Sequence, residues 1–279
     1  MPELPEVETT RCGIEPHLLG RSVVGVRLRA AKLRFPLRQS LCSILPGRTV
    51  NAVTRRGKYL LLTMDGGTLL IHLGMSGHLH LSAPGSPAGK HDHFELELDD
   101  NNLLRLNDPR KFGTVLWLEG DPGSHPLLAG LGPEPLEEAF SSEYLYRISR
   151  KRTVAVKLLL MNSRLVVGVG NIYANEALFH AGIAPQRPAG ALTMAECGRL
   201  VNAVKAVLAE AIERGGTSLR DYVDVAGNPG YFGLDLMVYG REGEGCRVCA
   251  APLQQNRLGG RATCWCPVCQ DVRLENSPN

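Results

Sequence analysis

The chain has 279 residues, 44% of them hydrophobic, and a formal net charge of +3 at neutral pH. That is enough chain and apolar content for a proper core in two domains with a small third module, and the mildly basic charge assigns no partner by itself. No apolar run approaches the ~18 residues needed to cross a bilayer, and acids stand at the N-terminus where a secretory signal needs basic and then apolar residues, so neither a membrane protein nor an exported one is expected.

The opening stretch, MPELPEVETT, predicts the start of a helix. Pro5 suits a first turn, where its missing N–H would be unpaired anyway. Glu6 and Glu8 sit near the positive end of the helix dipole. This explanation covers PEVE and leaves Pro2 and Glu3 without a structural reason.

Residues 22–118 read as β-structure. SVVGVRLRA, YLLLTM, TLLIHL, HLHLS, HFELELD, NLLRLN and TVLWLE are short runs rich in Val, Leu and Thr, several alternating in polarity and many separated by Gly, Asn or Asp turns. Such spacing predicts a sandwich or barrel. Residues 120–135, dense in Pro and Gly, read as a linker. Beyond it the period becomes helical in LEEAFSSEYLYRISR, RTVAVKLLLMNS, GNIYANEALFHAGI and TMAECGRLVNAVKAVLAEAIERGG. In the last, Leu200, Val204 and Val207 fall on one stripe, and Gly215-Gly216 supplies the C-terminal stop.

Cysteines are informative by position. Cys12, Cys42 and Cys197 are scattered in helical or hydrophobic contexts, as inert thiols usually are. The tail holds Cys246-x2-Cys249 and Cys266-x2-Cys269. Two such knuckles supply the four tetrahedral thiolates that zinc prefers, and four thiolates leave no open coordination position, so the expected site is structural. Cys264 raises a register question, since it could replace Cys266 as third ligand, although C-x2-C geometry favours Cys266. Arg261, on the loop held this way, is a candidate functional residue.

Residues 147–164 carry Arg147, Arg150, Lys151, Arg152, Lys157 and Arg164 with no acid among them. A charge run is usually a solvated face. Here it precedes Gly168 and Gly170 ahead of a helix starting near Asn171, and backbone N–H groups at such a start can hold a phosphate. With a zinc ribbon in the same chain, nucleic acid becomes the leading partner. Removal of Met1 would then give Pro2 a further meaning. Its secondary amine, with an α-amino pKa of about 7.7–8.0, can attack a sugar aldehyde carbon and form an iminium. Glu3 beside it could move protons. His91 and His93, at alternate strand positions, could suggest a metal pair but lack further ligands nearby.

MPELPEVETT, RRGKYLLL, HLGMSG, KHDH, NDPRKFG, LGPEPL, RLVVGVGNIYANEALF, GGTSLRDYVDVAGNPGYF, VYGREGEGCRVC and RATCWCPVC together resemble the formamidopyrimidine-DNA glycosylases, bacterial base-excision repair enzymes. The likeness runs through essentially the whole chain in order. It implies an α+β multidomain fold: an N-terminal β-sandwich with an N-terminal helix (residues 1–125), a helix-two-turn-helix α domain (126–235) and a four-cysteine zinc-finger β-hairpin (236–272). It implies a glycosylase and AP lyase that removes 8-oxoguanine and formamidopyrimidines from damaged double-stranded DNA, acting as a cytoplasmic monomer with one structural Zn2+.

The resemblance also implies roles. Pro2 would be the Schiff-base nucleophile and Glu3 the proton donor for base release. Lys58 would assist β-elimination and Arg261 δ-elimination. A base inside a duplex must be flipped out and the gap filled; Met75, Arg110 and Phe112 match the void-filling residues. His91, Arg152, Lys157 and Asn171 match phosphate contacts. Residues 217–232 match a loop that closes over the damaged purine, with Gly227 and Gly230 permitting motion. Cys246, Cys249, Cys266 and Cys269 match the zinc ligands, while Cys264 stands where the family often has an aromatic or aliphatic residue. Two other readings are an endonuclease VIII-type enzyme for oxidised pyrimidines and a non-catalytic zinc-ribbon DNA-binding protein. Leu4 and the long SLRDYVDVAGNPGYF loop favour the purine enzyme over the first. The presence of Pro2, Glu3, Lys58 and Arg261 argues against the second, because binding alone needs no N-terminal amine.

Overall fold

A computed structural model describes residues 2–215 and 236–270. The chain divides into two compact units, one running to Gly130 and one holding Leu131–Glu210 and the cysteine-rich tail. No described helix is long and apolar enough to cross a membrane.

The first unit begins with α1 (Leu4–Leu18). β1 (Val23–Leu28), a single-turn α2 (Leu41–Ile44), β2 (Val50–Arg56), β3 (Tyr59–Met64), β4 (Gly67–His72), β5 (His78–Ser82), β6 (Asp92–Leu98), β7 (Leu103–Asn107) and β8 (Thr114–Leu118) follow. They form two antiparallel four-stranded sheets, ordered β1-β6-β7-β5 and β2-β3-β4-β8. Alternate residues of both sheets meet in one core. Leu60, Leu62, Leu69 and Ile71 come from one sheet and Phe94, Leu96, Leu104 and Leu106 from the other, with Val7, Ile14 and Leu18 of α1. This is a β-sandwich with a helix against it.

Two details depart from the sequence pattern. β2 was not legible, because VNAVTRR mixes Asn and two arginines into its run. In the alternating run from His93 to Leu98, the polar Glu95 is buried. It accepts from Arg105 Nε at 2.6 Å and Arg27 Nη1 at 2.7 Å, while Arg105 Nη2 donates to the Ser86 carbonyl at 2.6 Å. Burial alone would raise the Glu95 pKa, but these arginines hold it below the usual carboxylate range.

The helices that follow are α3 (Ser142–Ser149), α4 (Val156–Leu160), α5 (Asn171–His180) and α6 (Met194–Glu213). Ser141 caps α3 by accepting from Tyr144 N at 3.1 Å. The expected stripe of α6 is buried at Leu200, Val204 and Val207. After the helix Gly215, at φ +78°, donates its N–H to the Ile212 carbonyl. The tail carries the hairpin of β9 (Gln254–Leu258) and β10 (Arg261–Trp265). Its two-residue turn, Gly259-Gly260, has φ of +56° and +76°, as a type I′ turn requires at both positions.

Candidate active site and nucleic-acid interface

At the chain start, Glu3 is the N-cap of α1 and forms a reciprocal capping box with Glu6. The Glu3 N–H donates to Glu6 Oε2 at 2.7 Å, satisfying one of the helix-start donors that otherwise lack partners. The sequence left Glu3 with no structural reason; the fold supplies one. Pro2 is buried, and Glu3 is only 2% exposed. A carboxyl therefore stands, shielded from water, one residue from the position whose nitrogen would be the nucleophile.

Lys58 is the second residue of the two-residue turn joining β2 to β3, where Arg56 faces Tyr59. Gly57, the first, has φ +58°, the position where a type II′ turn places glycine. Opposite Tyr59 on β4 lies His72, their rings 4.9 Å apart. Burial, then the charges of Lys58 and Arg34, push the His72 pKa down to about 4, so its imidazole stays neutral. Its Nδ1 accepts from Gly74 N at 3.0 Å.

That bond leads into the turn bearing Met75. Gly74 has φ +71°, and a Cβ there would lie 2.6 Å from Gly113 N and from the Phe112 carbonyl carbon. The absent side chain lets the two turns touch backbone to backbone. Asp108, fully buried, braces the second turn: its Oδ2 accepts from Gly113 N at 2.7 Å and its carbonyl from Lys111 N at 3.2 Å. Met75 and Phe112 emerge 41% and 44% exposed, with the Arg110 guanidinium 5.0 Å from the Phe112 ring centre. Large apolar tips held out in water are unusual for core residues and suit a wedge between base steps. Gly74→Ala is expected to cost roughly 1–3 kcal/mol from its backbone conformation alone. Urea denaturation checks this, and an unchanged midpoint would show that the turns are not jammed.

In the second unit the basic run divides. Arg147, Lys151, Arg152 and Arg164 are exposed, whereas Lys157 is fully buried. The Lys157 ammonium donates to the Ala262 carbonyl and Thr263 Oγ1, both at 2.7 Å. Asn171 Nδ2 donates to the same carbonyl at 3.1 Å. Both side chains thus grip β10 directly after Arg261, which is itself exposed. Further along α5, Asn175 Oδ1 accepts from Cys264 N at 2.9 Å, and the Glu176 carboxylate accepts from the N–H groups of Met237, Val238 and Tyr239.

Cys246, Cys249, Cys266 and Cys269 place all four Sγ atoms within 4.8 Å of one another. The Cys246–Cys269 and Cys249–Cys266 pairs stand at 3.9 and 3.4 Å. Metal–sulfur bonds of about 2.3 Å in a tetrahedron require sulfurs about 3.8 Å apart, so the set fits a four-thiolate metal site. Cys264 is outside it, buried, with its Sγ donating to Gln255 Oε1 at 3.1 Å. His91 and His93 form no metal group among the described residues.

The chain matches the formamidopyrimidine-DNA glycosylase N-terminal domain over residues 1–115 and the H2TH domain of the same enzymes over 131–223. Formamidopyrimidine-DNA glycosylases of Thioalkalivibrio sulfidiphilus and Methylococcus capsulatus are 56% and 55% identical to it over 270 residues, covering 97% of this chain and all of theirs. The chain belongs to the formamidopyrimidine-DNA glycosylase family. The crystal structure of MutM (Fpg) from Thermus thermophilus is 41% identical, with a TM-score of 0.86 over 96% of this chain and 98% of that one. A complex of Lactococcus lactis Fpg with DNA containing an abasic site is 34% identical, with a TM-score of 0.89 over 96% and 99%.

The first unit brings Lys58, His72 and the turns of Met75 and Phe112 to the ends of neighbouring strands, and in the second Lys157 and Asn171 meet at the Ala262 carbonyl, next in sequence to Arg261. Sequence reasoning missed His72, Asp108 and Glu176. HLGMSG and NDPRKFG contain the first two, but nothing in their spacing distinguishes a brace from a core residue. Residues 217–232, expected as a closing loop, lie outside the described residues.

Proposed function

We propose that this chain is a bifunctional DNA glycosylase and AP lyase that excises oxidised purines, 8-oxoguanine and formamidopyrimidines, from damaged duplex DNA. The observation that carries it is the start of α1, where a buried carboxyl follows Pro2 in a chain matching this family over its length. Once Met1 is removed, the Pro2 nitrogen attacks C1′ and the base departs with a proton from Glu3. Ring opening gives an iminium. Loss of a C2′ proton from it expels the 3′ phosphate, with Lys58 assisting, and a second elimination expels the 5′ phosphate, with Arg261 assisting.

Met75 and Phe112 fill the space left by the flipped nucleotide, and Arg110 hydrogen-bonds the orphaned base. His91 and Arg152 hold backbone phosphates; Lys157 and Asn171 contribute through the hairpin they brace. Zinc is the metal assigned to the four cysteines, and when bound it crosslinks the two knuckles without joining the chemistry. The enzyme acts as a monomer on DNA in the cytoplasm.

Borohydride trapping on an 8-oxoguanine·cytosine duplex, followed by peptide mapping, tests this reading. The expected product is a covalent adduct on Pro2, with a weaker yield on an oxidised pyrimidine. Absence of any adduct, from protein whose N-terminus is confirmed as Pro2, would leave only a DNA-binding protein.

A further inference from the structure

We propose that Arg55 is a positioning residue that fixes Lys58 relative to Pro2 and Glu3; the inference rests on the catalytic reading above and deepens it. Arg55, one residue short of the end of β2, is 11% exposed, and Glu8, on α1, is 18% exposed. Arg55 Nε donates to Glu8 Oε2 at 2.8 Å and its Nη1 to the Gly57 carbonyl at 2.9 Å. Glu8 is not free to swing, because its other oxygen accepts from Arg11 Nε at 2.8 Å. Arg11 in turn binds Glu15 Oε2 at 2.7 Å. Burial opposes the Glu8 charge, but hydrogen bonds from Arg55 and Arg11 hold its pKa below the usual carboxylate range.

The held atom matters more than the ion pair. The Gly57 carbonyl belongs to the peptide linking Gly57 to Lys58, the central peptide of the turn. A glycine in that turn permits this peptide to rotate, and turns of types I′ and II′ differ by such a rotation. Its orientation sets where the Lys58 Cβ points. Arg55 pins the peptide and anchors it on the helix that Glu3 caps. A planar guanidinium serves both acceptors at once, which a lysine ammonium on a flexible stem does poorly.

The test measures base excision, borohydride-trapped adduct and strand cleavage separately for Arg55→Gln, Lys58→Ala and the double variant. Arg55→Gln is expected to slow strand cleavage roughly 10- to 100-fold per trapped adduct, as small misplacements of a catalytic group do, with adduct on Pro2 still formed. The double variant should be no slower than Lys58→Ala. Losses that multiply would make Arg55 a general stabiliser and overturn the proposal. Glu8→Gln cuts the same bridge from its other end and covers the case in which Arg55→Gln does not fold. If Lys58→Ala cleaves normally, the role of Lys58 fails instead. The positioning claim is then decided by the NMR signal of reductively 13C-methylated Lys58, which shifts in Arg55→Gln if the claim holds and stays put if it does not.

Discussion

Glu3→Gln is expected to slow release of 8-oxoguanine by about 10²–10⁴-fold, the usual contribution of a positioned general acid, while borohydride trapping on a preformed abasic site persists. The two outcomes separate because forming an iminium from an aldehyde needs the Pro2 amine and not the proton that departs with the base. Glutamine suits the test, since its carbonyl oxygen keeps the acceptor that Glu3 presents in the capping box. Glu3→Ala removes acid and cap together, adding about 1 kcal/mol of destabilisation. Single-turnover excision on a lesion duplex beside trapping on an abasic one gives the comparison. Excision by Glu3→Gln within tenfold of the unaltered enzyme would remove Glu3 from the chemistry and leave it a capping residue.

Stripping the metal is expected to have the other large effect. The core beneath the hairpin contains few buried residues, and Cys246, Cys264 and Cys266 are three of them. A two-stranded hairpin has little stability of its own, so beside the hydrogen bonds from Lys157, Asn171 and Asn175 ligation is expected to supply much of what holds it; structural zinc contributes about 10–16 kcal/mol in small fingers. Chelation, or Cys249→Ser, should open the segment between Cys246 and Cys269 to protease and release Arg261 from its place. DNA affinity should fall with it, along with its salt dependence, since fewer phosphate contacts remain. Cys264→Ala should keep one zinc per chain by metal analysis. A metal-free protein with a protease-resistant hairpin would contradict the assignment.

Legibility in the sequence followed the range of each interaction. Strands such as His93–Leu98 declared themselves because alternation is a local property, and the cysteine pairs did so because a knuckle is built within four residues. β9 did not: QQNRL is exposed apart from a half-buried Leu258 and is held by pairing with β10. The N-terminal Pro-Glu needed the family likeness, because a helix start explains most of its surroundings and, as the capping box shows, part of Glu3 as well. The Glu8–Arg55 bridge joins residues 47 apart in sequence. Only the register of α1 on β2 reveals it. Lys157 shows the opposite case, a lysine in an apparently solvated basic run that is buried against the hairpin.

The grip of α5 on the tail has a consequence for synthesis. Asn175 leaves the ribosome 89 residues before Cys264, the partner whose N–H it binds. At about 5–20 residues per second that interval is roughly 4–18 s. Throughout it the Asn171 and Asn175 side chains have no hairpin to receive, Glu176 waits 61 residues for the first of its partners, Met237, and water must satisfy all three until then. The helical unit is therefore completed only when the segment from Met237 to Cys264 has emerged, and a chain truncated before it would expose Asn175 and Glu176, which the finished protein buries.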